Sequence, residues 1–469
     1  MEIRFKKHRE SRILKLIIIL FFAIRLIGIT NPPLETGHNW RQTITNMVTR
    51  NMVQETPSLL YPKIDMAGEL TGISASEFPI YNFITYLLSL VFGFSHGLGR
   101  IINLIVSSVG IFYFYRILEH FFSNKIALYS SILLLVSIWF SFSRKIMPDT
   151  FSVSLIFIGI FYGLQYLKNN NLIPFLLFLI FTSLGVLSKL PSGYLLVGFV
   201  FILPIKTIEI KTKVILFLGL SFVVLLALSW YFYWVPTVYD KFHYQLFFPK
   251  SFVEGFSEFK NVLPQTFQKF YFSAFAGYLG FVATLLGLYF IIKEYNRKYS
   301  LCFLLLFVVF IFYAIKTGSV FATHNYYVLP FTPILAILAA LFITKLPKPL
   351  NIVLLCLISF EGIANQQHDF FIKDNERYKL KLEQIASASI EKDALIIING
   401  GESPQELYFT NRKGWTVEHS KLLSATFIDS LVNRGANYLI LDKKQEPKVA
   451  TNYPIVYTDD FFEIIKLKE

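Results

Sequence analysis

Long apolar runs separated by short polar breaks fill most of the chain. They fall at roughly 13–30, 99–116, 126–143, 151–167, 172–188, 193–205, 214–233, 279–292, 300–315, 327–344 and 349–365. Each approaches the ~20 residues that a helix needs to cross a bilayer. The pattern predicts a polytopic α-helical membrane protein with about eleven transmembrane helices. One further run, "FPIYNFITYLLSLVFGFS" over 78–95, is ambiguous by hydropathy. Charge decides it. Suppose that the basic N-terminus is cytoplasmic and 78–95 does not cross. The loops holding Arg116 and Lys125, Lys168, Lys206/Lys211/Lys213, Lys293/Arg297/Lys298 and Lys345/Lys348 then share the inner side. The short outer loops keep only Arg144, Lys145, Lys189 and Lys316. If 78–95 crosses, the bias reverses, against the positive-inside rule. The expectation is an interfacial or re-entrant helix on the outer face. It comes with a first outer loop over 31–98, a large outer loop over 234–278 and an outward C-terminus.

From about residue 370 the period changes. "DALIIIN" (393–399) and "NYLILD" (437–442) have strand length, and "YPIVYTDDFFEIIKL" holds two more strand candidates. "SATFIDSLVNRGA" (424–436) has helical spacing and ends near Gly435. The expected organisation is a transmembrane domain over 1–369 and a small extracytoplasmic α/β domain over 370–469.

Composition sharpens this only a little. The chain has 469 residues, of which 54% are hydrophobic, which excludes a soluble domain. Its net charge of +13 would suggest a nucleic acid only if the membrane were ignored. No basic helix with interleaved aromatics is present, so no nucleic-acid partner is expected. Cys302 and Cys356 both sit inside apolar runs and read as neither a disulfide nor a metal pair. The basic start "MEIRFKKHRESR" precedes an apolar run without a small-residue cleavage site, which predicts an uncleaved first helix.

The polar residues carry the chemistry. In "HNWRQTITNMVTRNM", Trp40, Ile44, Met47 and Val48 share one helical face, while Arg41, Thr45 and Thr49 line another. Asn39 followed by Gln42 resembles a capping box, so the helix should begin at Trp40. An amphipathic helix lying in the outer interface is the expectation, and plain anchoring of the loop is the competing reading. Other outward segments add Asp65, Glu69 and Glu77, then Arg144, Lys145 and Asp149 in "SRKIMPDT". "LSKLPSG" adds Lys189, and "ATHNYYVLP" adds His324, Asn325, Tyr326 and Tyr327. Any one of these alone reads equally well as a solvated or anchoring residue. Together they predict a shared cleft at the outer face, since ionisable groups at a membrane boundary are functional candidates. Carboxylates can take a proton from an acceptor hydroxyl. Lys and Arg can offset the charge that develops on a phosphate leaving group. Aromatic rings, abundant around 230–249, stack on sugars, though an interfacial belt accounts for them as well. A sugar linked to a lipid phosphate needs all three next to the bilayer.

The order of motifs resembles the GT-C glycosyltransferases that use polyprenyl-phosphate sugars, a group that includes protein O-mannosyltransferases and lipid A aminoarabinose transferases. The nearest likeness is to a bacterial branch with "WRQ-x-x-T" in the first outer loop. It is carried by "HNWRQTITNMVTRN", "KIDMAG", "SEFPIY", "GRIINLIVSSVGIFYFYRILEHFFSNKIAL", "SRKIMPDT", "LSKLPSG" and "HNYYVLPFTP", over about residues 10 to 345. The resemblance implies the GT-C fold, with 78–95 among its outer-face interfacial helices. It also implies a bacterial cytoplasmic membrane location and an extracytoplasmic active site. The reaction implied is transfer of a sugar from a polyprenyl-phosphate donor to a glycan, lipid or protein hydroxyl.

The chain also departs from the wider group. Where relatives carry an acidic pair before an Arg-x-Met, this chain has Arg41 and Gln42, counting back from Arg50-Asn51-Met52. Where some carry Glu-Lys-Pro-Pro, it reads Glu77-Phe78-Pro79-Ile80, keeping the acid and losing the Lys. Asp149 matches the acid of the second outer loop.

The candidate catalytic residues are therefore Glu77 and Asp149, with Asp65 next. Candidates for phosphate and sugar binding are Arg41, Gln42, His38, Arg144, Lys145, Lys189, His324 and Tyr326, and Arg25 could reach a lipid phosphate or snorkel. No cofactor is assigned. A divalent ion could draw on Glu35, Asp65, Glu77 and Asp149 with His38 or His324, but no ligand spacing demands one. The alternative functions are a transporter or flippase, which would place polar groups near mid-membrane, and a lipid-linked oligosaccharide polymerase. The polymerase reading suffers because 234–278 holds no Arg. With no matched motif beyond about 335, the C-terminal domain is expected to be dispensable for chemistry.

Overall fold

A computed structural model describes residues 9–246, 250–445, 449 and 452–468. All eleven apolar runs fall on helices. In chain order the first helices are α1 (Arg9–Arg25), α2 (Asn39–Gln54), α3 (Ile80–Phe92), α4 (His96–Leu118), α5 (Asn124–Val136), α6 (Trp139–Phe142), α7 (Pro148–Asn169) and α8 (Leu172–Ser188). Beyond them, Leu190–Ile202 winds as a 3₁₀ helix, opened by Pro191. Among the described residues, five segments are long and apolar enough to cross a membrane: His96–Leu118, Pro148–Asn169, Ile210–Phe242, Arg297–Thr317 and Asn325–Ile343. Shorter apolar helices accompany them, including α3. With 13 residues, α3 is about 20 Å long at ~1.5 Å per residue, short of the ~30 Å hydrocarbon core.

The chain forms two compact units, and the first is helical. It comprises Met1–Ile29, Gly99–Phe232 and Phe248–Phe370, over their described residues. Apolar helices gain little from burial against one another in lipid, so close backbone approach matters more. Glycine permits that approach here. A Cβ at Gly287 would stand 1.7 Å from the Leu338 carbonyl oxygen, where the helices Leu279–Glu294 and Thr332–Ile343 cross. Gly159 likewise lets α7 close on Thr182 of α8. Leu172, Ile173, Leu176 and Ile180 point outward from α8.

The second unit comprises Thr30–Leu98, Tyr233–Phe247 and Phe371–Glu469, again over described residues. Its sheet has the order β2-β1-β3-β5-β4, from β1 (Leu395–Ile398), β2 (Lys413–Thr416), β3 (Ala436–Asp442), β4 (Ile455–Thr458) and β5 (Phe462–Lys466). β1 runs parallel to β2 and β3, with Ile397 beside Trp415 and Leu439. β5 closes the sheet antiparallel to β3 and β4. Four strands and the helix Ala425–Asn433 lie where the hydrophobic pattern places them; β2, four residues around Gly414, was not legible.

Burial separates the two faces of the sheet. Ile397 and Leu439 pack with Ile428 and Leu431 of the helix Ala425–Asn433. Ile396, Ile398 and Ile440 pack with Leu407 and Tyr408, and with Ile44, Met47, Val48 and Met52 of α2. The first loop thus supplies a helical layer of the α/β sandwich. The apolar stripe of α2 is spent on the sheet and is not offered to lipid. Its polar face is covered too: Asn82 of α3 donates to the Thr45 carbonyl and the Thr49 hydroxyl. The helix begins at Asn39, one residue early, because His38 is left-handed and caps with no side chain.

Candidate active site

In the helical unit, an acidic and a basic side chain come from opposite ends of neighbouring helices. Met147 is extended, Pro148 occupies the first turn of α7, and Asp149 follows it. A carboxylate is favoured there by the unsatisfied N–H groups and the dipole of the helix. Lys189 terminates α8, where a cation is favoured by the same dipole. The α7–α8 hairpin brings them together, with Lys189 Nζ 3.8 Å from Asp149 Oδ1. Ser152 holds the junction by donating to the Gly185 carbonyl at 2.7 Å. The Lys189 ammonium lies 5.6 Å from the Tyr326 ring centre, and the His324 ring packs edge-on against Tyr326. Nearby in the chain fold, Lys269 donates to Asn325 Oδ1 at 2.6 Å. Lys269 opens a short π-helical turn, Lys269–Ser273, a distortion that often marks functional segments. Burial lowers the pKa of its ammonium.

Arg144 and Lys145 lie in the buried turn before α7. Asn103 of α4 organises that turn, donating to the carbonyls of Phe142, Lys145 and Met147 and accepting from Thr150. The Arg144 guanidinium stacks 4.2 Å from the Phe370 ring centre. Lys145 pairs with Asp369 at 3.4 Å. Arg100 donates to the Arg144 carbonyl. Arg25 is fully buried and bonded to Ser143 and Ser108, so it does not snorkel.

In the second unit, Arg41 in the first turn of α2 meets Glu77, just ahead of α3, at 2.8 Å. Both side chains keep partial exposure, 14% and 19%. His38 and the wholly buried Gln42 flank the start of the helix. Asp65 is placed differently. It is 4% exposed, accepts from Arg50 and Asn51 at 2.8 Å each, and serves as an internal ion-pair partner. Each oxygen of this buried carboxylate is thus tied to a side chain of α2.

The sequence reading named Asp149, Lys189, His324 and Tyr326, which the structure gathers in the helical unit, and Arg41 and Glu77, which it pairs in the second unit. It missed Asn103, Arg100 and Lys269. Lys269 carried a faint signal, a lone basic residue in the aromatic stretch "FQKFYF". Among the described residues, no group of three or more His, Cys, Asp or Glu converges to hold a metal ion.

His324 offers a check by pH. Burial lowers its pKa below the ordinary 6.5, and Lys189 and Lys269 add to the effect. The unfolded chain then binds a proton that the folded chain refuses, so stability falls as the pH drops through 6.5. His324→Gln should flatten that acid-side loss in a melting-temperature series from pH 7.5 downward, about 7.5 being well above the ordinary histidine range. A parallel curve for the variant would contradict the assignment.

The fold defined by these units is that of the GT-C membrane glycosyltransferases. ArnT from Cupriavidus metallidurans in the apo state superposes with a TM-score of 0.64 at 11% identity, covering 96% of this chain and 98% of that one. The same protein bound to undecaprenyl phosphate matches at 0.63 and 12%, with the same coverage. The Archaeoglobus fulgidus oligosaccharyltransferase matches at 0.62 and 11%, over 95% of this chain and 71% of its own. Residues 76–234 match the family described as dolichyl-phosphate-mannose-protein mannosyltransferase. A search of curated protein sequences finds no match.

Proposed function

We propose that the chain is a multi-pass glycosyltransferase of the bacterial cytoplasmic membrane. It moves a sugar from a polyprenyl-phosphate donor to an acceptor hydroxyl at the extracytoplasmic face. The observation that carries this reading is the Asp149–Lys189 pair, set between helix ends beside Tyr326 and His324 in a chain of GT-C fold. One carboxylate, that of Asp149 or of Glu77, takes the proton of the acceptor hydroxyl. The hydroxyl oxygen then bonds to the anomeric carbon as the bond to the phosphate oxygen breaks. Lys189 offsets the charge left on the polyprenyl phosphate, because a positive group fixed where charge develops needs no reorganisation. Arg41 stands where related chains place an acid and acts electrostatically on Glu77, its ion-pair partner. Asp65 holds the structure instead. The solved relative that binds undecaprenyl phosphate makes that lipid the natural probe.

A transporter is less well supported, since Asp149, Lys189 and His324 lie at helix ends and not in mid-helix. The test is binding. Undecaprenyl phosphate should raise the melting temperature of the purified protein, and Lys189→Met should weaken that binding by about 10- to 100-fold, the value of a charge-assisted contact. Unchanged affinity in Lys189→Met would remove Lys189 from the phosphate.

A further inference from the structure

We infer that the C-terminal α/β domain is the positioning element for Arg41, and so for the rate of transfer; this rests on the role given to Arg41 above. In the sheet order β2-β1-β3, the chain leaves β1 for one side and returns to the other, which puts the topological switch point at the carboxyl end of β1. Sheets of this kind hold their ligands in the crevice there. In this chain the loop at that corner, Asn399–Pro404, holds the start of α2. The Trp40 indole N–H donates to the Glu402 carbonyl at 2.8 Å. Directly after the loop, the buried Gln405 amide donates to the Pro33 carbonyl at 2.9 Å.

The attachment continues along α2. Ile44, Met47 and Val48 share a core with Leu407 and Tyr408. One turn on, the Arg50 guanidinium lies 4.2 Å from the Tyr408 ring centre and donates to the Tyr408 carbonyl at 2.8 Å. The segment Glu402–Tyr408 therefore grips α2 at its start, middle and later turns. Arg41 follows Trp40 by one residue, about 100° around the helix. Fixing the Trp40 ring thus fixes the direction in which Arg41 leaves the helix to reach Glu77. Misplacement of a charged group by even ~1 Å is costly to a rate. The order of sequence motifs had suggested a domain dispensable for chemistry; the packing argues the reverse.

The experiment compares four full-length proteins in a transfer assay with a polyprenyl-phosphate sugar: wild type, Trp40→Phe/Gln405→Leu, Arg41→Ala, and the combination of all three. The clamp variant should lose about tenfold in kcat. Its KM for the donor should stay within about twofold and its melting temperature should not change. In the Arg41→Ala background, the same two substitutions should change kcat by less than about twofold, because their effect runs through Arg41. A wild-type kcat in the clamp variant overturns the inference, and so does an undiminished tenfold loss in the Arg41→Ala background. If the clamp variant melts early, Trp40→Phe alone keeps the ring packing, and its smaller loss must likewise vanish without Arg41. A full-rate Arg41→Ala protein would sink the role of Arg41 itself. A slow Arg41→Ala protein beside a full-rate clamp variant would sink only the positioning role.

Discussion

Asp149→Asn and Glu77→Gln should separate the base from its neighbour, with transfer falling by about 10²- to 10⁴-fold in the variant that loses the base. Both substitutions keep side-chain volume and remove only the proton-accepting charge. Asp149 is the more buried carboxylate, set in the first turn of α7 with Lys189 at 3.8 Å. Glu77 keeps more exposure and a direct bond to Arg41 at 2.8 Å. Each carboxylate thus has one cation beside it, Lys189 for Asp149 and Arg41 for Glu77. The variant that loses only orientation should fall by a smaller factor, and its remaining rate should keep the wild-type pH profile. Near-wild-type rates in both variants, with normal expression and melting, would remove both residues from the chemistry.

The second large effect concerns stability. Arg50→Met should destabilise the protein by about 3–5 kcal/mol, since it strands the buried carboxylate of Asp65. The pair closes at 2.8 Å, with Asn51 on the other oxygen of Asp65. Arg50 also stacks on Tyr408, whose hydroxyl is bonded to His96. Removing the guanidinium therefore loosens α2, the loop after it and the α/β sheet together. Arg50→Met combined with Asp65→Leu should recover part of the loss, because a buried pair replaced whole by apolar groups leaves no stranded charge. Melting temperature and protease resistance measure both. Equal stability of Arg50→Met and wild type would contradict the packing, and no recovery in the double variant would contradict the ion-pair account.

Much of the fold was legible because lipid and sheet impose distinct periods. Runs such as 99–116 and 151–167 have the length of spanning helices, and "DALIIIN" and "NYLILD" have the length of strands. The helix α2 was legible as a helix but not in its setting. Ile44, Met47 and Val48 form an apolar stripe that suits a bilayer surface as well as a sheet, and amphipathicity does not say which. Its partners Leu407 and Tyr408 lie more than 350 residues away in sequence. The surroundings of Asp65 were illegible for the same reason. A carboxylate in a polar loop looks available until Arg50 and Asn51 are seen to enclose it. Asp149 and Lys189 were legible at helix ends because Pro148 directly precedes the one and Pro191 lies two residues after the other, a local signal. Asn103 and Arg100 were missed because they lie inside an apolar run, where nothing in the sequence separates a structural amide from a functional one.

The most direct test follows the donor itself. Purified protein in detergent is incubated with polyprenyl-phosphate pentoses and hexoses and an envelope extract as acceptor, and the lipid products are read by mass spectrometry. The proposed activity predicts that, for one sugar, donor is consumed while free polyprenyl phosphate and a glycosylated acceptor appear in equal amounts, and that Asp149→Asn combined with Glu77→Gln stops it. Donor that stays intact with every sugar, in a protein that still binds undecaprenyl phosphate, would contradict glycosyl transfer and favour movement of the lipid.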